Sequence, residues 1–386
     1  MGIEIETIMV GELERFARRS LAASQPGEVV PAAIARSRAQ DRNPAADPGD
    51  VGLLVAYQDG RCVGYLGLMP GRLRVRGRDE KVYWLSTWYV PPELRHTGAG
   101  AKLLLRARAL RRDLVVTHLN AEAARVYEAL RFKPLGPLEY IEGKFSRNNP
   151  LALPFRVMRK LARRNNSIGL PSLDRIIVAA DALFKRLLFP LLIAYVARGR
   201  TRFEARVVDR IGSDMFEADQ DRSAPIRFRR GADIINWMIE EPWITTEPEG
   251  ITGGFYFTDY KPLFRYVAIE IYGPESADHK GFVVLRHEQG LDGKRTLIVL
   301  DYHFGDSADE RILLSFALGQ ARDFGADDMI LPGVIRTDLV PLRLLGLFLR
   351  QRRRAYFCYT SRKDGPLAAA ADGIHLSVSD GDFAFA

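Results

Sequence analysis

The sequence predicts two mixed α/β domains, each a twisted mixed β-sheet flanked by helices, joined by a basic helical connector. Three observations lead there. First, a strand-like run at 82–90, rich in β-branched and aromatic residues, passes through a glycine-containing bend into a helical pattern that begins at Leu103, Leu104 and Leu105. Second, residues 281–360 read strand, strand, helix, strand, helix, strand, which repeats the layout of the first half. Third, residues 151–202 hold eleven Lys/Arg against two Asp/Glu, whereas the whole 386-residue chain carries a net charge of only +8. The sequence pI of about 9.5 is thus the property of one segment. The boundaries that follow are 1–148, 149–202 and 203–386. A hydrophobic content of 47% is ample for two cores.

In the first domain, residues 3–10 form an opening strand and helical stretches continue to Arg42. Asn43-Pro-Ala-Ala-Asp-Pro-Gly-Asp50 is a loop. Residues 53–57 and 62–68 are strands joined through Asp59-Gly60, the dipeptide of a tight hairpin. Residues 73–76 and 82–90 continue the meander. Another strand at 114–118 leads into a helix whose N-cap is Asn120, with Ala123 and Tyr127 one turn apart on a single face.

The bend itself reads Val90-Pro-Pro-Glu-Leu-Arg-His-Thr-Gly-Ala-Gly-Ala101. Glycines feeding a helix N-terminus let backbone N–H groups converge on an anion, and the helix dipole favours negative charge there. About twenty residues on, Asn120-Ala-Glu-Ala-Ala-Arg-Val-Tyr-Glu-Ala-Leu-Arg-Phe132 supplies Asn, Ala and Tyr on one helix, closed by an aromatic residue at the next strand. In that order, the two elements resemble the pyrophosphate loop and the following Asn–Ala–Tyr helix of the GNAT (GCN5-related N-acetyltransferase) superfamily. Three features depart from that pattern: Arg131 replaces the usual glycine before the closing aromatic, the helix after the loop is short, and His96-Thr97 takes loop positions where small or basic residues are common.

The resemblance implies direct acyl transfer from an acyl-CoA, acetyl-CoA first among them, to a small amine or amino sugar. It would place the pyrophosphate on the backbone of Thr97, Gly98, Ala99, Gly100 and Ala101, with Arg95 adding positive charge and Thr97 a hydroxyl. Backbone groups of Trp88 and Val90 would pair with the pantetheine arm, Asn120 would complete the cofactor site, and Tyr127 would protonate the departing thiolate. Ser86 and Thr87 stand where some relatives carry a carboxylate. A general base is therefore expected from water or from the second domain, with Glu270, Asp301 and His303 as candidates.

The connector places Leu173, Ile176, Ile177, Ala180, Leu183, Phe184, Leu187 and Leu188 at helical spacing. The expectation is that Leu183, Phe184, Leu187 and Leu188 are buried against protein. The apolar run at 187–197 is too short to span a membrane and contains Pro190. Such a basic amphipathic segment also suits an acyl carrier protein, a tRNA or an anionic membrane surface as partner. In the second domain the region equivalent to the phosphate loop, Phe304-Gly-Asp-Ser-Ala-Asp-Glu310, carries three acids. Asp306, Asp309 and Glu310 would repel pyrophosphate, which makes this a degenerate repeat that does not bind CoA.

Other chemistries have little support in the sequence. The six histidines form no metal-ligand spacing, no metal is expected, and there is neither a Gly-x-Ser-x-Gly elbow nor a Walker loop. Cys62 and Cys358 lie in strand-like contexts and read as buried free thiols, in keeping with a reducing cytoplasm and, through the basic segment, with the inner membrane face. Three readings stand at this point. They are an acyl-CoA-dependent N-acyltransferase, a Fem-like transferase using aminoacyl-tRNA or an acyl carrier protein, and a non-catalytic module that keeps the fold.

Overall fold

The computed structural model describes residues 2–117, 119, 121–145, 183, 187, 191, 194, 203–220, 226–273, 279–304, 310–333, 349–360, 365–369 and 373–385. In chain order the principal elements are β1 (Glu4–Met9), α1 (Leu13–Ala23), α2 (Ile34–Asp41), β2 (Val51–Gln58), β3 (Arg61–Val75), β4 (Arg78–Tyr89), α3 (Ala99–Ala109), β5 (Leu114–Thr117), α4 (Ala121–Ala129) and β6 (Lys133–Lys144). They continue with β7 (Glu204–Val208), β8 (Ile226–Phe228), α5 (Ala232–Glu240), β9 (Leu263–Tyr272), β10 (His279–Gln289), β11 (Arg295–Phe304), α6 (Glu310–Phe324), β12 (Asp328–Pro332), β13 (Leu349–Tyr359) and β14 (Ile374–His375).

These elements make two compact units that are not sequential halves. The first comprises Met1–Leu138, Asp209–Phe264 and Arg354–Ala386; the second comprises Glu139–Val208 and Arg265–Arg353. Residues 209–264 and the C-terminal tail, expected in the second domain, therefore fold with the first.

In the first unit, β1, β2, β3 and β4 form an antiparallel meander. Its hairpin turns carry positive φ at Asp59 and Gly60, and again at Arg76 and Gly77. Two consecutive left-handed residues match the twist of the flanking strands. β5 then runs parallel to β4, and α3 supplies the crossover that two parallel neighbours need. The strand on the other side of β5 is the C-terminal half of β13, with Tyr356 opposite Thr117 and Tyr359 opposite Leu114. Along β2 the side chains alternate. Leu54 and Ala56 pack with Leu103, Leu104 and Tyr127 on one face, and Leu53 and Val55 pack with Leu13 and Phe16 of α1 on the other. A strand buried on both faces has helices on both faces.

In the second unit, β10 and β11 are antiparallel, β12 is parallel to β11 through α6, and residues 140–144 of β6 lie antiparallel to β12. β9 pairs with β7. Val283, Leu285, Leu297 and Val299 meet Leu313, Phe316 and Ala317 of α6 in the core. The arrangement parallels the first unit: two parallel strands joined by a helix, then an antiparallel strand from a distant part of the chain.

Two further expectations meet the structure here. Leu183 and Leu187 are not buried; each is 60% exposed, and Leu191 is 64% exposed. Phe184 and Leu188 lie outside the described residues, as do most of the connector, the strand end at His118, the acidic 305–309 and the helix expected over 339–350, except that Leu349 and Arg350 open β13 instead. Cys62 and Cys358 are free, and burial pushes both thiols up to about 11. At that value they are inert at neutral pH. No helix among the described residues is long and apolar enough to cross a membrane.

Candidate active site

The site begins with a defect in β4. Opposite β3, Tyr65 pairs with Tyr89 but Gly67 pairs with Ser86, so β4 carries one extra residue there. Thr87 sits in this bulge at φ 49°, a left-handed conformation that a β-branched residue adopts only under strain. Such strain costs of order 1–3 kcal/mol and persists where surrounding contacts hold it. The contact here is Arg36 of α2, whose guanidinium donates to the Ser86 hydroxyl at 2.5 Å and lies 4.0 Å from the Trp243 ring. Arg36 is only 8% exposed, and burial brings its pKa down to about 10, against the opposing pull of Asp382.

Beyond the bulge the two parallel strands part. The β4–β5 register covers only Tyr83 with Leu114 and Trp84 with Val115, although β4 runs on to Tyr89 and β5 to Thr117. The opening is a cleft of about 490 Å³ within the first unit, walled by β4 residues 85–89, the start of α3, one face of α4, and Tyr256, Phe257 and Asp382. A strand edge left without a neighbour presents backbone groups that an extended ligand can pair with. Trp88 and Val90 line the cleft.

At one end of the cleft lies the glycine loop. A 3-10 turn over Pro92–Thr97 hands the chain to α3 through Gly98 at φ 78°, where a side chain would be strained although nothing lies within 4 Å of it. The first α3 hydrogen bond to the loop is from the Lys102 N–H to the Gly98 carbonyl, so the N–H groups of Gly100 and Ala101 precede the helical ladder. Gly100 also packs on the Trp88 ring, and a Cβ there would come 2.9 Å from it. The Trp88 indole N–H is buried without an acceptor among the described residues. An orphaned donor beside unpaired amides calls for an acceptor from a ligand, and a phosphate or amide oxygen supplies it. Arg95 lines the same end, held only by an exposed 3.4 Å ion pair to Glu122 that costs little to release. Thr97 behaves differently from expectation: its hydroxyl donates to the Leu94 carbonyl at 2.7 Å and is engaged in the turn. Ala99 is fully buried in the core, so it offers backbone alone. Asn120 lies outside the described residues.

Tyr127 lines the middle of the cleft from α4 and is 1% exposed. Its ring meets Trp88 edge-on at 5.5 Å and Phe132 at 4.8 Å. The helix end fixes it in place. The N–H of Phe132 donates to the Tyr127 carbonyl and that of Arg131 to the Glu128 carbonyl, a Schellman pair with Arg131 in the left-handed position at φ 65°. Arg131 thus performs the turn that a glycine would make without strain. Burial, with a further contribution from Asp382, holds the Tyr127 hydroxyl well above its ordinary pKa, so it is a neutral proton donor at physiological pH.

The residue that sequence reasoning missed is Asp382. It stands in a 3-10 turn at Gly381–Ala384 and reaches the cleft wall. Its turn is anchored on both sides. Asp380 accepts from the Ser377 N–H at 2.6 Å and pairs with Arg230 at 3.0 Å, while Phe385 stacks on Trp243 at 4.6 Å. Burial raises the Asp382 pKa above the ordinary 3.8, and Arg36 and Arg354 only partly counter it. A carboxylate with raised pKa close to a neutral tyrosine is the pairing that general acid–base chemistry uses. Glu270, Asp301 and His303, the expected bases, belong to the second unit, where Glu270 accepts from the Tyr272 hydroxyl and Asp301 from the Tyr302 N–H. No His/Cys/Asp/Glu group able to hold a metal occurs among the described residues.

Comparison with known proteins agrees with this geometry. Residues 17–132 match the acetyltransferase (GNAT) family model. No curated protein matches the chain by sequence. Among solved structures, a GCN5-related N-acetyltransferase from Anabaena variabilis aligns with a TM-score of 0.50 at 10% identity, over 94% of this chain and 73% of its own. A conserved protein from Enterococcus faecalis described as a probable N-acyltransferase gives 0.49 at 9% identity, over 93% and 72%. A tandem GNAT protein of the clavulanic acid biosynthesis pathway gives 0.47 at 13%, over 94% and 99%. Loop, bulge, splayed strands and family match fall on one unit, in which residues 17–132 form a domain that matches the acetyltransferase (GNAT) family.

Proposed function

We propose that this chain is an N-acyltransferase that takes an acyl group, acetyl in the simplest case, from CoA and transfers it directly to a small amine. The observation that carries the reading is the convergence of three features on one cleft. They are the unpaired amides of Gly100 and Ala101, the neutral hydroxyl of Tyr127, and the carboxylate of Asp382. The loop and Arg95 would hold the pyrophosphate, the free edge of β4 would take the pantetheine amides, and Trp88 would satisfy its indole N–H on the same ligand.

In this reading an ammonium acceptor gives its proton to Asp382. The neutral nitrogen then attacks the thioester carbonyl, the C–N bond forms and the C–S bond breaks. The electron pair leaves on sulfur, which takes its proton from Tyr127, and the resulting phenolate takes the second proton that the acylated nitrogen sheds. The raised pKa of Asp382 brings the base nearer to the amine it must deprotonate, and the raised pKa of Tyr127 keeps its proton available until the thiolate appears. Titrating the purified protein with acetyl-CoA by calorimetry, and following CoA release with a panel of primary amines, tests the proposal. Absence of binding at millimolar acetyl-CoA would overturn it. Tight binding without release to any amine would favour the non-catalytic reading, and a donor that binds only when attached to tRNA or a carrier protein would favour the Fem-like one.

A further inference from the structure

We infer that the acceptor is a monoamine borne on an aromatic ring, and not an amino sugar or a polyamine. This rests on the acyltransferase reading and narrows its substrate class. The same cleft is walled by Tyr256 and Phe257, from a segment far away in sequence, Phe255-Tyr-Phe257, whose rings pack on Tyr65 of β3 and Tyr89 of β4. Tyr256 stacks on Tyr89 at 4.0 Å and 16°, and Phe257 stands edge-on to Tyr256 at 5.3 Å. Behind them Phe255 stacks on Tyr65 at 5.9 Å, and the Tyr65 hydroxyl accepts from the Tyr256 N–H at 3.4 Å. The backbone and rings beneath Tyr256 are thus fixed by packing, yet Tyr256 itself is 63% exposed.

A tyrosine stacked on one ring and still 63% exposed leaves ring surface on which a second ring can stack. That surface borders the cleft that also contains Asp382 and Tyr127. A ring stacked there can extend its amine toward the carboxylate. The charge inventory of the cleft opposes the alternatives. Among the described residues that line the cleft, Glu122 pairs with Arg95, and Asp382 is the carboxylate that remains. One carboxylate satisfies one ammonium; a polyamine or a multiply aminated sugar would leave further cations without partners in a partly desolvated site. The wall made by Tyr256 and Phe257 offers ring faces, which match a planar ring more fully than a hydroxylated one.

The test is a competition of specificity constants. Values of kcat/KM are measured for phenethylamine, propylamine, glucosamine and spermidine at saturating acetyl-CoA, with the wild type and with Tyr256→Ala, Tyr256→Leu and Tyr256→Phe. The expected result is that the wild type prefers phenethylamine to each of the others. The phenethylamine-to-propylamine ratio falls about three- to tenfold in Tyr256→Ala and Tyr256→Leu, as the loss of one stacking partner implies, and is restored in Tyr256→Phe. Preference for glucosamine or spermidine, or an unchanged ratio in both Tyr256→Ala and Tyr256→Leu, would overturn the inference while leaving acyl transfer standing. Failure of the wild type to bind acetyl-CoA or acylate any of the four amines would instead remove the acyltransferase reading beneath it.

Discussion

Replacing Asp382 by Asn separates catalysis from stability with unusual clarity. The substitution keeps the size of the side chain and one carbonyl acceptor but removes the group that takes a proton. If Asp382 is the base, kcat/KM for amine acetylation should fall by about 10²–10⁴-fold, the usual contribution of a positioned acid or base. Stability should move in the other direction or not at all. The folded-state pKa of Asp382 is raised above 3.8 by burial even after the attraction of Arg36 and Arg354 is counted. A carboxyl with raised folded pKa contributes stability that is full below its unfolded pKa and is lost as pH rises through the folded pKa. At neutral pH its charge therefore opposes folding, and a neutral isostere removes that opposition. The wild-type kcat/KM should decline as pH falls through the raised pKa, and the variant should lack that acidic limb. CoA release measured between pH 5 and 9, with thermal melts on the same samples, reads all three quantities. Wild-type kcat/KM in the variant would refute the role, and a large drop in Tm alongside the lost activity would mean that Asp382 serves the fold.

Other expectations follow from single contacts. Tyr127→Phe keeps the rings that meet Trp88 and Phe132 and removes only the hydroxyl, so kcat should drop about 10²-fold while acetyl-CoA affinity by calorimetry stays within about twofold. In Gly100→Leu the new side chain collides with Trp88 and covers the loop amides; loss of two charge-assisted bonds should weaken acetyl-CoA binding by about 10²-fold or more, and an unchanged Kd would reduce the loop to a turn. Arg131→Gly exchanges a left-handed penalty of roughly 1–2 kcal/mol for the entropy of glycine, about 0.5–1 kcal/mol, and should raise Tm by about 1–3 °C with activity retained. With Leu183, Leu187 and Leu191 exposed within a segment of eleven basic residues, the protein is expected to float with phosphatidylglycerol vesicles and to lose this in a Leu183→Ser, Leu187→Ser, Leu191→Ser triple variant; flotation equal in both proteins would exclude the leucines.

What was legible in the sequence was everything that depends on near neighbours. The first hairpin announced itself through Asp59-Gly60, the glycine loop through Gly98 and Gly100, and the α4 site through the four-residue spacing of Ala123 and Tyr127. Each of these is a local conformational demand that few residue types can meet, so composition alone reveals it. Arg131 is informative in the same way: the missing glycine looked like a departure, yet the backbone still makes the Schellman turn and Arg131 absorbs the strain. Local geometry was kept where local identity changed.

The acceptor half of the cleft was hidden for the opposite reason. Asp382 follows Ser86 by almost three hundred residues, and Tyr256 follows Tyr89 by well over a hundred. Neither carries a period or spacing that ties it to the loop. Both arrive because segments 209–264 and 354–386 return to the first unit, a return driven by aromatic packing. Trp243 stacks between Arg36 and Phe385, Trp84 lies against Gly381, and Trp237 donates to the Ala39 carbonyl at 2.8 Å. Long-range contacts of this kind are set by which apolar surface remains uncovered once the sheet has formed, and a single sequence does not display that surface. The consequence is a division within the active site. The part that handles the donor is encoded in one short stretch, where the shared chemistry of a phosphate demands the same backbone each time. The part that meets the acceptor is assembled from remote segments, each free to change without disturbing the loop. Under the proposed reading, acceptor choice can vary through residues such as Tyr256 while Gly98, Gly100 and Tyr127 go on serving the donor and the leaving thiolate.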